Sequence, residues 1–273
     1  QPETWSKFQQ AMHTEAVRFV QSPSRQLVTY CNVGVWLDRD DDRNLLADIE
    51  HNRLAGIIFA CMSYPYLRQS PILTKKGIPR IMPASRPRPG VSGVFWEREK
   101  LIDRAVDYLA ERGHRRVAMI RVGAASELVT RFRQGCSDRG MTCKPQWVQY
   151  VGGKDLECAT NAAWLLMEVK PDAVFVADDN ILEHVCSGLS AAGVRVPDDV
   201  EVLSHCNFPY QPVSPLPVKY LGYDVRHYVR AAVRLIDEMR ADGDERVIRL
   251  DPLFDDEIEP VDQPGEYVPA PPV

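Results

Sequence analysis

A chain of 273 residues, 45% of them hydrophobic, is long enough for one large domain or two smaller ones with real cores. Thirty-eight acidic against 33 basic residues leave a formal net charge of −5, which excludes a domain that grips nucleic-acid phosphates with its whole surface. No apolar run reaches the roughly 18 residues of a membrane-spanning helix, and the opening QPETWSKFQQ lacks the basic and apolar regions of a signal peptide and an initiator Met, as a trimmed chain would.

In chain order, Trp5, Phe8, Met12, Ala16 and Phe19 recur at helical spacing and predict a helix over residues 5–21. A strand is expected at 26–31, a helix at 42–52, a buried strand at 54–60 (LAGIIFA), a short helix near 65–76, and strands at 78–82 and 91–96. A long helix over 97–112 ends at Gly113, a natural left-handed cap. The pattern then restarts, with strands at 116–122, 147–151, 173–177 and 200–204 and helices at 125–139, 155–169 and 180–192. A last helix over 224–241 and a strand at 246–250 precede a proline-rich acidic stretch from Pro252. Nearly continuous apolar strands alternating with helices indicate parallel sheets covered on both faces. The restart near residue 113 indicates two α/β subdomains, each binding ligands at the carboxyl ends of its strands.

The seven cysteines (31, 61, 136, 143, 158, 186 and 206) are odd in number, include no C-x-x-C pair, and read as reduced thiols of a cytoplasmic protein. Phosphate-binding loops, nucleophile elbows and zinc-helix motifs are absent, so no enzyme class, cofactor or metal is indicated. The one stretch that raises catalysis is His205-Cys206-Asn207. Successive residues of an extended segment point to opposite sides, so three in a row rarely converge as nucleophile, base and orienter. No further Cys or His completes a metal set there.

Three stretches carry a family resemblance: RGHRRVAMI at 112–120, PDAVFVADD at 171–179 and AAGVRVPDDV at 191–200. Together, at this spacing, they resemble the effector-binding domain of the LacI/GalR family of bacterial transcription regulators. The resemblance covers residues from about 5 to 250. It implies the α/β class with two doubly wound parallel-sheet subdomains, periplasmic-binding-protein-like, joined by three crossovers near 113, 213 and 243. Residues 1–113 with 214–242 would form the N-terminal subdomain, 114–213 with 243–251 the C-terminal one, and 252–273 a tail. The family's DNA-binding headpiece and first strand have no counterpart in this reading.

The resemblance also locates a pocket between the subdomains. Asp178 and Asp179 follow a strand, where a carboxylate can cap the next helix or bind an effector hydroxyl; the family usually has Asn at the position of Asp178. An inward arginine of the family falls on Phe132, flanked by Arg131 and Arg133, which are either solvated or re-aimed into the pocket. Trp96 stands where the family often has Asp, and could stack on a sugar ring or serve as core. Tyr64 and Asn32 are candidates by their place after strands. The family's glycine–aromatic–aspartate segment falls on 204–206, so Cys206 replaces a ligand-binding aspartate and Asn207 follows it. Cys206 and Phe132 are therefore expected to lie near each other and to make the pocket less charged. His114, Arg115 and Arg116 read as structural, and Trp147 and Trp164 as core.

The implied function is the effector-binding and dimerisation domain of a regulator. It would bind a small molecule, expected to be a sugar or polyol, form a homodimer, and meet operator DNA only through the missing headpiece, with no membrane partner. The alternative is a solute-binding protein of a sugar transporter, against which the cysteines and the three stretches weigh. A thiol hydrolase built on Cys206 is the remaining enzyme reading.

Overall fold

A computed structural model describes residues 6–20, 25–31, 33, 40–61, 67–124, 126–152 and 155–260. The described chain divides into two compact units, one holding Gln9–Trp96 and Val225–Leu250, the other Glu97–Asp224 and Asp251–Pro260 with the start of the first helix.

The first unit contains α1 (Lys7–Val20, from Gln9 on), α2 (Asp40–Glu50), β1 (Ile57–Ile58), α3 (Pro71–Thr74), β2 (Arg80–Met82), β3 (Val91–Trp96), α8 (Val225–Asp242) and β9 (Val247–Leu250). Its four strands run in the order β1-β2-β3-β9, all parallel. Leu45 and Ile49 of α2, Ile72 and Leu73 of α3, and Met82 and Val91 share one buried cluster. Arg80 is only 2% exposed, and its guanidinium donates to the carbonyls of Ile72, Ile78 (2.6 Å) and Lys75 (2.8 Å). The expected strand at 26–31 does not form, and the one at 54–60 shortens to two residues.

The second unit contains α4 (Arg98–Glu111), β4 (Val117–Val122), α5 (Glu127–Asp138), β5 (Val148–Val151), α6 (Cys158–Leu166), β6 (Ala173–Val176), α7 (Leu182–Ala191), β7 (Glu201–Phe208), β8 (Lys219–Asp224) and β10 (Leu253–Phe254). Its six strands run β10-β8-β7-β6-β4-β5, parallel except for β10 at the edge. All four residues of β6 are buried, as its unbroken apolar run requires of a strand covered on both faces. Val174, Val176, Ile120 and Val202 pack with Ala163, Val185 and Leu189 of α6 and α7 on one face. On the opposite face Phe132 of α5 stacks on Phe175, ring centroids 5.5 Å apart. Among the described residues no helix is long and apolar enough to cross a membrane.

The divisions of the chain at 96/97, 224/225 and 250/251 correct the expected crossovers near 113, 213 and 243. α4 buries Leu101, Ile102, Ala105, Val106 and Leu109 at helical spacing and packs on α5 and β8, so it belongs with the second sheet. β9 pairs in parallel with β3, so it belongs with the first. The segment from 252 is corrected too. Phe254 pairs with Leu221 in β8, and Arg104 holds Pro252 O (2.6 Å) and both Glu257 oxygens (2.6 and 2.8 Å) with its guanidinium 4.7 Å above the Phe254 ring. This short, charge-flanked strand covers the sheet edge. Residues 261–273 lie outside the described residues.

The family-like stretches acquire physical reasons. Glu201 accepts from Tyr108 Oη (2.5 Å) and Arg112 Nε (3.1 Å) and lies 2.7 Å from His114 Nε2, while Asp172 accepts the backbone N–H of Arg115 (2.8 Å) and Arg116 (3.0 Å). These contacts tie the amino ends of β4, β6 and β7 together, the structural role read for His114, Arg115 and Arg116. Burial pushes the Glu201 carboxyl up, but these donors outweigh it and hold it below its usual range.

Candidate functional site

At its carboxyl end the second sheet has a step. β6 pairs with β7 only as far as Val176 opposite Ser204, whereas His205, Cys206, Asn207 and Phe208 run on beside β8. The chain leaving β6 turns in the space this opens. Asp178 takes an extended conformation and accepts Asn180 N (3.0 Å) and Asn180 Nδ2 (2.7 Å), capping a short 3-10 turn. Asp179, 2% exposed, accepts Asn207 Nδ2 at 2.7 Å and faces His205 Nδ1 at 3.7 Å. His205 and Asn207 stand two apart in one strand, so both side chains leave the same face. The His205 ring also tilts against Tyr223 of β8, centroids 6.0 Å apart. From the start of α1, Lys7 N donates to Asn180 Oδ1 (2.9 Å) and Lys7 Nζ to Glu183 Oε1 (2.7 Å).

The electrostatics follow from burial against pairing. Burial alone would push Asp179 up, but the His205 ring, the Asn207 amide and the Lys7 charge outweigh it and hold the carboxyl below its ordinary range. Burial alone would push His205 down, but the Asp179 and Asp178 carboxylates outweigh it and raise the imidazole above its ordinary 6.5. A raised histidine stabilises the fold fully below about pH 6.5, and that contribution is lost as the pH rises through the folded value. The melting temperature is therefore expected to fall as the pH rises from 6.5 toward 9, and H205Q to flatten this part of the profile; equal slopes in differential scanning calorimetry would contradict the ion pair.

Of the residues singled out from sequence, Asp178, Asp179 and Asn207 come together here. Cys206 does not join them. It is fully buried and lies between His205 and Asn207 in the strand, so its side chain leaves the opposite face. Phe132 packs on the His205 face, against Phe175, which corrects the expected proximity of Phe132 and Cys206: the sheet separates them. Burial pushes the Cys206 thiol up, and His205 points away from it, so thiol and imidazole cannot form a nucleophile–base pair. Arg131 is bound to Asp103 (2.6 and 2.7 Å) and Glu99 (3.1 Å) on the exposed surface of α4 and α5, and Arg133 Nε donates to Cys143 O (3.2 Å). Neither re-aims toward the carboxyl end of the sheet. In the first unit Trp96 stacks on the buried Tyr228, centroids 5.0 Å apart, which gives one face of its ring a core role. Tyr64 and Asn32 lie outside the described residues. Asn180 and Lys7 were not singled out, and His205 was weighed only as a member of a catalytic or metal set; its two-residue spacing from Asn207 was the available signal for their shared face.

Residues 106–252 match the family model described as periplasmic binding protein-like domain. Among curated relatives, the HTH-type transcriptional repressor PurR of Vibrio cholerae serotype O1 is 25% identical over 190 residues, covering 65% of this chain and 54% of the relative. The chain thus spans about half the length of the curated relatives it matches. Among solved structures, a LacI family transcriptional regulator from Lactobacillus casei with bound glucose is 21% identical at a TM-score of 0.66, covering 91% of this chain and 93% of that one. A LacI family transcription regulator from Clostridium acetobutylicum is 20% identical at a TM-score of 0.59, covering 70% and 73%. With its parallel sheets and this match over more than half of its length, the chain belongs to the periplasmic binding protein-like domain family, and its fold is that of the LacI family regulators named above.

Proposed function

We propose that the chain senses a small polar effector, a sugar or related polyol, for a transcription regulator that works in the cytoplasm as a homodimer and binds operator DNA through a headpiece outside this chain. The supporting observation is the Asp179–Asn207–His205 cluster, built where β7 and β8 outrun β6. Doubly wound sheets bind ligands at the carboxyl ends of their strands, and this is where the second sheet concentrates buried polar side chains. An effector shifts operator affinity only as far as it binds one conformation better than the other. The matched relatives are regulators, which weighs against the solute-binding alternative.

A thermal-shift screen of monosaccharides, sugar acids and nucleobases tests the reading. A ligand at about 100 times its Kd adds about 2.7 kcal/mol, a shift of several degrees, and the same compound should change operator binding by the full-length regulator. No shift from any of the three classes at millimolar concentration would overturn effector sensing. A shift without any change in operator binding would overturn the regulatory link.

A further inference from the structure

We propose that His205, oriented by Asp179 and Asn207, is the specificity-determining group of the second unit, and that it favours an effector carrying an anionic oxygen over a neutral polyol. The inference rests on the effector-binding reading above. Sequence placed two carboxylates here, each a candidate helix cap or acceptor for an effector hydroxyl. The structure uses three of their four oxygens internally. One Asp178 oxygen receives both donors of Asn180, one Asp179 oxygen receives Asn207, and the other faces His205. The Lys7 ammonium is likewise engaged, by Glu183.

What remains is the second Asp178 oxygen and, as the group that can donate as well as accept, the far side of the imidazole. His205 Nδ1 faces Asp179, and among the described residues Nε2 makes no hydrogen bond. The ring is partly exposed, its side chain 18% accessible. With Nδ1 turned to a carboxylate, the proton of neutral His205 resides on Nδ1 and Nε2 is an acceptor. On protonation Nε2 becomes a charged donor, suited to a carboxylate or phosphate oxygen. The charged and titratable groups around it are Asp178 and Asp179 from the turn after β6, Tyr223 from β8, and Lys7 from the start of α1, whose charge acts on Asp179; Arg98 and Glu97 act in turn on Tyr223. Asn207 supplies the uncharged clamp that fixes the Asp179 oxygen not facing the ring. Asp179 offsets the imidazolium, and the two together present a donor that no described residue engages. The site thereby changes preference with pH, toward an acid when His205 is charged and toward a hydroxyl donor when it is neutral.

Isothermal titration of the chain with D-gluconate, D-glucose 6-phosphate and D-glucose at about pH 6 and pH 8.5 tests this, the two acids distinguishing a carboxylate from a phosphate source. At pH 6 one of the acids should bind about tenfold or more tighter than glucose, and this preference should fall about tenfold at pH 8.5. H205Q should bind acid and neutral sugar alike at both pH values. Should H205Q fail to fold, the His205 Cε1-proton resonance of the unmodified chain gives the same readout, since it should shift on adding the tighter acid. Glucose binding as tightly as both acids at both pH values, a preference that survives H205Q, or a resonance unmoved by the acid would each overturn the inference while leaving effector binding intact. Binding of none of these sugars, and of no nucleobase in the screen, would instead overturn the effector reading on which it rests.

Discussion

Replacing Phe132 by alanine is expected to lower the unfolding free energy by about 3–5 kcal/mol, because the ring is 0% exposed and its removal leaves a cavity against Phe175. At about 2–4 °C per kcal/mol for units of this size, the melting temperature should fall by roughly 10 °C. Phe132→Arg, which installs the residue type the family often has at this place, should be worse still, because it places a cation in an apolar stack with no carboxylate shown beside it. Urea unfolding of both variants measures this. A loss below about 1 kcal/mol for the alanine variant, or an arginine variant that folds normally and binds effector more tightly, would show that position 132 faces ligand rather than core.

Arg80 carries the second large expectation. Its side chain lies inside the first unit and its guanidinium is spent on three backbone carbonyls at the end of α3 and the start of β2. Burial disfavours the charge and lowers its pKa, so the side chain persists because the carbonyls need its fan of donors. Arg80→Met removes the buried charge but orphans the acceptors, each at about 1–3 kcal/mol, for a net loss of about 2–4 kcal/mol. Arg80→Lys keeps the charge on a point donor that cannot span three carbonyls, so it should recover only part of the loss. If the methionine variant matched the parent in calorimetry, the carbonyls would have found water, and the arginine would be dispensable.

Much of the architecture was legible because the parallel strands are unbroken apolar runs. β4, β6 and the first half of β7 stand out for that reason, and α4 and α5 are marked by their apolar period and the glycines that follow them. β8 was not legible. It follows a proline-rich stretch and contains Gly222, an unfavourable strand residue on propensity. The glycine is required because a Cβ there would collide with the Cys206 backbone, a contact between strands far apart in sequence. β10 hid in an acidic segment because its anchor, Arg104, is about 150 residues away and long-range ion pairs leave no local pattern. The crossovers were misplaced for a related reason: Gly113 marks the end of α4, while the sheet that α4 covers is decided by packing on α5 and β8.

At the candidate site, two ways of reading the same three residues diverged. Alignment with the family's aspartate selected Cys206, whereas strand alternation pairs His205 with Asn207 and turns Cys206 away. The structure follows alternation. The capping role of Asp178 was one of the two roles considered, and it is the one seen. Neutralisation of Asp179 by His205 and Asn207 depends on how far β7 overruns β6, a register that no local sequence pattern encodes.

Hydrogen exchange read by mass spectrometry, with and without the screening compound that raises the melting temperature most, tests the central claim most directly. Effector binding at the carboxyl end of the second sheet predicts slowed exchange in the peptides spanning 177–183 and 204–210, with the amino-end knot at 112–116 and 171–172 unchanged. Protection confined to the amino-end peptides, or unchanged exchange at 177–183 and 204–210 under saturating ligand, would contradict it.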